Sequence, residues 1–225
     1  MTKPSAILMF AAGLGTRMGA LTAGRPKPLV KVGDQSLFDH AHALTMVPEI
    51  TRRVVNVHYK ADMIRAHVAD TDILISDETD HLRETGGGLR HALPLLGTGP
   101  VLTLNTDAIW RGSNPVLQLL SAWNPKMEAL LMLVPKGAVH GHVGAGDFLL
   151  QNDGQITRGP GDVYAGLQII RPDVLDEIDD AAFSLNQAWD IIGARAGLFG
   201  CRYDGAWCDV GRPESIVIAE ALLDV

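Results

Sequence analysis

The chain has 225 residues, 47% of them hydrophobic, and a formal net charge of -7. This length and apolar content suit an α/β domain with a sizeable core and exclude disorder, while the acidic balance disfavours nucleic acid, whose binding needs a basic face. No stretch approaches the ~20 apolar residues of a membrane span, and the first apolar run breaks too early for a secretory signal, so we expect a cytoplasmic protein without a membrane partner.

Strands and helices alternate through the first part of the chain. The predicted elements are a strand at 5–11, a loop at 12–28, a helix from Ser36 to about Val47, a strand at 53–58, a helix at 61–69, a strand at 73–75, a helix at 86–95, a strand at 101–104, a helix at 114–123 and a strand at 128–134. Such alternation predicts βαβ units and an α/β fold with a Rossmann-like, doubly wound, mostly parallel sheet.

The pattern changes after about residue 135. An Asn-Asp-Gly turn at 152–154 between two short apolar runs predicts a β-hairpin. The later predicted elements are a strand at 163–170, helices at 172–178 and 184–194, a strand at 198–203 and a helix from Pro213. We therefore expect a single domain over 1–225, with a small additional β region in its second half.

The strongest chemical signal follows the first strand. Gly13 and Gly15 form a turn whose backbone N–H groups are free to surround an anion. Arg17 adds a planar guanidinium for phosphate oxygens, and Lys27 adds a compact charge between two stiffening prolines. Together they predict a phosphate site inside an acidic protein.

Other interpretations of this glycine turn are less consistent with the residues. A dinucleotide fingerprint needs glycine where the chain has Met18, and an acidic residue after the second strand, where the chain has His58. A Walker A loop needs Gly-Lys-Ser/Thr, which is absent. A tight structural turn with surface charges remains an alternative.

A second glycine cluster, Gly86–Gly88, follows Glu84 and Thr85. Three glycines at the start of a helix are costly unless something approaches the backbone closely. A nucleobase or a sugar is one such partner, and a flexible turn is the alternative.

Two aspartates complete the set. Asp107 follows an apolar strand, at the end where open α/β sheets bind ligands. Asp209 lies far away in the sequence, so only the fold can bring the two together. Two carboxylates facing a polyphosphate suggest Mg²⁺, although either one alone is also typical of a cap or a loop.

Taken together, these motifs resemble the sugar-1-phosphate nucleotidylyltransferases. The resemblance covers about residues 5–222 and rests on A-A-G-x-G-T-R-M…P-K-P-L from Ala11 to Leu29, on E-T-G-G-G, on Asp107 and on W-x-D-V-G-x-P-E from Trp207. Within the family, the short length and these motifs look most like the bacterial N-acetylmuramate-1-phosphate uridylyltransferases of cell-wall recycling. Two features depart from the family pattern: Thr106 replaces the usual glycine of Asn-Gly-Asp, and no Glu-Lys pair follows Gln155, Arg158 being the nearest cation.

The resemblance implies a transferase that joins a nucleoside triphosphate, UTP being the first choice, to a sugar-1-phosphate with Mg²⁺ as cofactor. It assigns nucleotide binding to about 1–135 and sugar-phosphate binding to about 136–225. The implied catalytic residues are Arg17, Lys27 and Asp107; the metal ligands are Asp107 and Asp209; the sugar-phosphate residues are Gly146, Asp147 and Gly166; and the nucleotide residues are Ala11, Ala12, Gly13, Gly15, Thr16, Arg17, Lys27, Glu84, Thr85, Gly86, Gly87 and Asn105.

Other functions stay open at this stage. Within the family, a guanylyl- or cytidylyltransferase acting on a mannose-like or heptose-like phosphate is the nearest alternative. A nucleotide sensor without catalysis is another, although a sensor has less need for both aspartates. A dinucleotide oxidoreductase is disfavoured by Met18. The protein is either a monomer or a homodimer.

Overall fold

The apolar runs of the sequence form the strands of a central sheet, seen in a computed structural model that describes residues 3–224. The strands are β1 (Ala6–Phe10), β2 (Lys31–Val32), β3 (Gln35–Ser36), β4 (Arg52–Val57), β5 (Leu74–Asp77), β6 (Val101–Asn105), β7 (Ala108–Arg111), β8 (Ala129–Val134), β9 (Val139–His140), β10 (Phe148–Leu150), β11 (Ile156–Arg158), β12 (Val163–Ile170), β13 (Leu198–Arg202) and β14 (Ala206–Asp209). The α-helices are α1 (Leu37–Thr45), α2 (Ala61–His67), α3 (Glu84–Leu96), α4 (Pro115–Ala122), α5 (Leu185–Ala194) and α6 (Glu214–Leu223).

The main sheet has seven strands in the order β13-β8-β12-β6-β1-β4-β5. Strand β1 runs parallel to β4 and β6, β4 runs parallel to β5, and β8 runs parallel to β13. Strand β12 is inserted between β6 and β8 and is antiparallel to both. The predicted α/β fold with a mostly parallel sheet is confirmed, and strands from both halves of the chain contribute to it.

Helices cover both faces of this sheet because alternate residues of each strand point to opposite sides. Leu8 of β1 packs in the cluster formed by α3 and α5. Its neighbours Ile7 and Met9 pack in the clusters formed by α1, α2 and α4. The helix predicted from Ser36 is present as α1, and it starts with a capping box in which the Ser36 side chain accepts from the Asp39 N–H.

A smaller sheet forms at the edge where β6 ends. Its order is β7-β14-β9, and β14 pairs antiparallel with β7 and parallel with β9. The predicted hairpin is also confirmed: β10 pairs antiparallel with β11 across a turn in which Gly154 has a φ of 88°. The additional β region therefore consists of the β7-β14-β9 sheet and the β10–β11 hairpin, and one of its strands, β7, comes from the first half of the chain.

Several local predictions need correction. The predicted loop at 12–28 contains two 3₁₀ helices, Thr16–Thr22 and Lys27–Leu29. The helix predicted at 172–178 is a 3₁₀ helix over Pro172–Glu177. A 3₁₀ helix of a few residues is too short to show a repeating pattern of apolar residues. From sequence it therefore looks like a loop or an α-helix.

The glycine run is inside α3, which begins at Glu84 rather than at Gly86. Glu84 has a φ of 57°, a conformation that non-glycine residues rarely adopt. The strands of the smaller sheet were not foreseen because two to four residues show too little alternation. Over residues 3–224, no helix is both long enough and apolar enough to cross a membrane.

Candidate active site

A cleft of about 540 Å³ opens at the carboxyl ends of β1, β4 and β6. Ligands bind at this edge in open α/β sheets, because the loops after parallel strands converge there. Asp107 lines it, together with most of the predicted nucleotide residues: Ala11, Ala12, Gly13, Gly15, Thr16, Arg17, Lys27, Glu84, Thr85 and Asn105.

The loop after β1 has a tight backbone and leaves several N–H groups without an acceptor among residues 3–224. Gly15 has a φ of 64°, and a Cβ there would lie 2.9 Å from the Cβ of Lys27, so only glycine fits. The Gly15 carbonyl is held by the Met18 N–H and by the Thr22 hydroxyl, both at 3.0 Å. A Cβ on Gly13 would meet nothing within 4 Å. Within the described part of the chain, the N–H groups of 13–15 donate to no backbone or side-chain acceptor, so they are available to a ligand.

The cationic side of the cleft is partly neutralised by an ion pair. Lys27 is only 8% exposed, and its Nζ lies 2.7 Å from Oδ2 of Asp107. The short 3₁₀ helix Lys27–Leu29, entered through Pro26, holds the lysine backbone in place. Arg17, in contrast, is exposed at the mouth of the cleft and is free to reach phosphate oxygens.

Pairing between β7 and β14 brings the two distant aspartates together. Asp209 lies opposite Ala108, the residue after Asp107. The Val210 N–H donates to the carbonyl of Asp107 at 2.9 Å, which locks the two segments. Burial, and next the negative charge of Asp107, raise the pKa of Asp209 above its ordinary value, while Lys27 opposes the shift. The two carboxylates are thus close enough to repel each other.

This pair of carboxylates fits a divalent metal ion shared with a phosphate. No set of three His, Cys, Asp or Glu side chains among residues 3–224 is arranged to hold a metal. Mg²⁺, however, is usually bound by one or two carboxylates together with substrate phosphates and water. The donor set of Asp107 and Asp209 matches that pattern, and a cation between them would relieve the repulsion that raises the pKa of Asp209.

The glycine run of α3 is packed against protein rather than open to the cleft. The Gly86 N–H donates to the Phe183 carbonyl at 2.8 Å, and a Cβ on Gly86 would collide with the Phe183 ring. A Cβ on Gly87 would likewise collide with the Ala181 carbonyl and lie 3.3 Å from the Cα of Ala182. Neither Gly86 nor Gly87 lines the cleft, whereas Glu84 and Thr85 just before them do. Their assignment to the nucleotide stays a prediction.

The predicted sugar-phosphate residues also serve the fold. Asp147 accepts the Tyr164 N–H through its Oδ2 at 2.9 Å. Gly146 and Gly166 have φ values of 91° and 80°, and a Cβ on Gly166 would lie 2.8 Å from the Asn105 side chain. None of the three lines the cleft, and their role with a sugar stays a prediction.

Two buried polar residues of the cleft were not foreseen. Asn56, in β4, accepts the Ala11 N–H at 2.7 Å and donates to Oε1 of Glu78 at 2.8 Å. Glu78 is fully buried, its Oε2 has no partner within residues 3–224, and burial raises its pKa. A single asparagine in the apolar run Val54-Val-Asn-Val57 was the signal that could have pointed to them.

The unusual Thr106 has a structural explanation. Its hydroxyl donates to the Phe10 carbonyl at 2.6 Å, and the side chain is almost fully buried. Thr106 thereby ties the segment after β6, which carries Asp107, to the end of β1. The predicted phosphate loop around Gly13 and Gly15 follows that end. Ser184, at the start of α5, is a further cleft residue that the sequence did not indicate.

Comparisons with known proteins agree with this geometry. The MobA-like NTP transferase domain matches residues 7–182. An N-acetylmuramate alpha-1-phosphate uridylyltransferase from Caulobacter vibrioides is 38% identical over 98% of this chain and 97% of its own length. A protein of the same name from Neisseria meningitidis is 29% identical over 96% of each chain. The crystal structure of HddC from Yersinia pseudotuberculosis complexed with GMP-PN has a TM-score of 0.78 at 18% identity, covers 97% of this chain and 99% of that one, and shares the fold.

Proposed function

Because this chain belongs to the MobA-like NTP transferase family and, within it, to the sugar-1-phosphate nucleotidylyltransferases, we propose that it joins UTP to N-acetylmuramate-1-phosphate with Mg²⁺, in the cytoplasm, and releases pyrophosphate. The observation that carries the proposal is the convergence of the phosphate loop, the Lys27–Asp107 pair and Asp209 on one edge of the sheet. The full-length similarity to two uridylyltransferases supports the choice of substrates.

In this reaction an oxygen of the sugar phosphate attacks the α-phosphorus of UTP, and the bond to the bridging oxygen of the β-phosphate breaks. Catalysis of such a transfer depends on positioning and on neutralising charge. The free N–H groups of 13–15 and the exposed Arg17 hold the β- and γ-phosphates and stabilise charge on the leaving pyrophosphate. No general base is needed, since a phosphate monoester is already anionic at neutral pH.

Lys27 lies deeper in the cleft and orients the α-phosphate. Its Nζ lies 2.7 Å from Oδ2 of Asp107, and this ion pair orients the ammonium group in the cleft. Binding of phosphate gives this ammonium a second anionic partner. Asp107 and Asp209 would hold Mg²⁺ at the same place, and the ion would supply positive charge to the phosphates.

The nucleobase lies at the end of the cleft where Glu78, Glu84 and Thr85 are found. Glu84 is exposed there, and its carboxylate accepts a hydrogen bond from the base. Uracil offers a ring N–H at N3 and neutral cytosine does not, which supports UTP over CTP. Guanine also offers a ring N–H, so GTP is the competitor that a test must include.

The decisive experiment is a matrix of four nucleoside triphosphates against N-acetylmuramate-1-phosphate, N-acetylglucosamine-1-phosphate and mannose-1-phosphate, with Mg²⁺ or with EDTA. We expect the highest kcat/KM for pyrophosphate release with UTP and N-acetylmuramate-1-phosphate, and loss of turnover with EDTA. A higher value for another pair would replace the proposed substrates. Tight nucleotide binding with no turnover across the matrix would instead favour a nucleotide sensor.

A further inference from the structure

A second cavity, of about 650 Å³, adjoins the nucleotide cleft. It lies between two segments: residues 17–21 of the first 3₁₀ helix and residues 212–214, which lead from β14 into α6. Arg17 lines both the cleft and this cavity, so the two spaces meet at its side chain. The second segment also borders both, because Gly211 lines the cleft and the next residue, Arg212, lines the cavity.

Arg212 is a positive charge that the protein leaves uncompensated. Its side chain is exposed, as is that of Arg17. Neither arginine belongs to an ion pair within residues 3–224, whereas most of the other arginines pair with a carboxylate or bond to a carbonyl. A guanidinium without a protein partner can bind two phosphate oxygens at once. The cavity therefore has two such groups, one from each segment.

The terminal phosphates of a nucleotide need this additional charge. Lys27 is already paired with Asp107 at 2.7 Å, and the carboxylate of Asp209 lies beside that pair. The two aspartates offset part of the positive charge that Lys27, Arg17 and a bound Mg²⁺ ion bring. What is left is less than the negative charge of a triphosphate, and phosphoryl transfer depends on neutralising that charge. Arg212 is placed to supply more of it.

We propose that Arg212 is a second phosphate-binding arginine, which together with Arg17 binds the terminal phosphates of the nucleoside triphosphate and the pyrophosphate formed from them. This inference rests on the proposed function, because pyrophosphate is the leaving group of that transfer. When the bond from the α-phosphorus to the bridging oxygen breaks, the oxygen keeps the electron pair and the negative charge. A guanidinium in the adjoining cavity stabilises this charge as it develops.

One carboxylate faces the same cavity and has to be weighed against the two arginines. Glu214 lines it, is exposed and begins α6, where a carboxylate is favoured by the positive end of the helix dipole. The other side chains of the lining are uncharged. The cavity thus keeps a net positive charge in a protein whose formal net charge is -7. Such a local field draws anions to this place rather than to the rest of the surface.

Arg52 offers a matched control at the opposite edge of the sheet. It is also exposed and without a carboxylate partner within residues 3–224, and it bonds to the Leu95 carbonyl at 3.3 Å. Arg52 begins β4, whereas the cleft opens at the carboxyl end of that strand, and it lines neither space. Arg52→Gln and Arg212→Gln therefore remove the same charge from the protein, one far from the phosphates and one beside them.

The test measures dissociation constants for UTP, UDP, UMP and inorganic pyrophosphate by calorimetry, at low salt with Mg²⁺ and without sugar phosphate. For Arg212→Gln we expect the affinity for UTP and for pyrophosphate to fall roughly tenfold, as for one lost charge-assisted contact, and the affinity for UMP to stay the same. Arg212→Lys should recover part of the loss, because it keeps the charge without the planar fork. Arg52→Gln should change none of the four constants.

Three outcomes would overturn the proposal. One is an Arg212→Gln protein that binds UTP and pyrophosphate within a factor of two of the wild type. The others are an equal loss of affinity for UMP and an equal loss in Arg52→Gln, since either shows a general effect of charge. Because the ligands differ only in their phosphates, a wrong choice of sugar leaves this test intact. If GTP binds better than UTP, the guanosine nucleotides replace the uridine series.

Discussion

The two glycine clusters look alike in sequence and do opposite things in the structure. At Gly13 a Cβ would meet nothing within 4 Å, and the N–H groups of 13–15 donate to no acceptor within residues 3–224. At Gly86 a Cβ would collide with Phe183, and the N–H is already bonded to protein. A glycine in a motif thus leaves room either for a ligand or for the chain itself. The difference depends on the segment around Phe183, which is almost 100 residues from Gly86 in the sequence.

The largest effect should come from the cluster around Gly13, because its loop includes Arg17 and lines the cleft. We expect Arg17→Ala to lower kcat about 10²-fold or more, because an oriented charge on the leaving phosphates is worth about 3 kcal/mol in the transition state. Arg17 is exposed, so Tm should change little. Steady-state kinetics of pyrophosphate release and a melting curve check both points. Near-normal turnover of the purified variant would remove Arg17 from the mechanism.

The glycines themselves provide the next test. Gly86→Ala should destabilise the protein by about 1–3 kcal/mol, because the new methyl group overpacks against Phe183. For a chain of this size, that corresponds to a fall in Tm of several degrees. Gly13→Ala, the matched variant, should melt close to the wild type and raise the KM for the nucleotide. If both variants lose stability equally, the distinction between the clusters is wrong.

The smallest expected effect on stability concerns the charge of Asp209, which lies beside Asp107 at the cleft. Burial and the charge of Asp107 raise the pKa of Asp209, so the folded protein holds that proton more tightly than the unfolded chain. The stability that the protonated carboxyl group of Asp209 contributes is therefore lost as the pH rises through its raised pKa. Without metal, Asp209→Asn should raise Tm by a few degrees at pH 7.

The same variant has an internal control in its pH dependence. The gain in Tm should vanish below pH ~4, where the ordinary carboxyl group is protonated in both states. Melting curves from about pH 3 to pH 8 in EDTA check this, and Mg²⁺-dependent turnover should be lost. A Tm that falls at pH 7 would show that the ionised Asp209 stabilises the fold, which its raised pKa contradicts.

Much of the architecture could be predicted from local sequence patterns. Apolar runs of five or six residues are visible as strands, and capping and turn residues mark where helices and the β10–β11 hairpin begin. The glycine turn that lines the cleft was also visible, because Gly13, Gly15 and Arg17 are neighbours in the chain, and its role with phosphate stays a prediction. These features depend on residues a few positions apart, so the sequence alone contains them.

The rest depends on contacts between distant segments. Pairing of β14 with β7 places Asp209 beside Asp107, and neither strand is long enough to be recognised in sequence. The Asn56–Glu78 hydrogen bond joins β4 to the residue after β5, and the packing of Phe183 explains why α3 has a glycine at position 86. Local propensity determined which elements form, while the partner of each buried polar group and of each glycine was decided only when the sheet brought remote residues into contact.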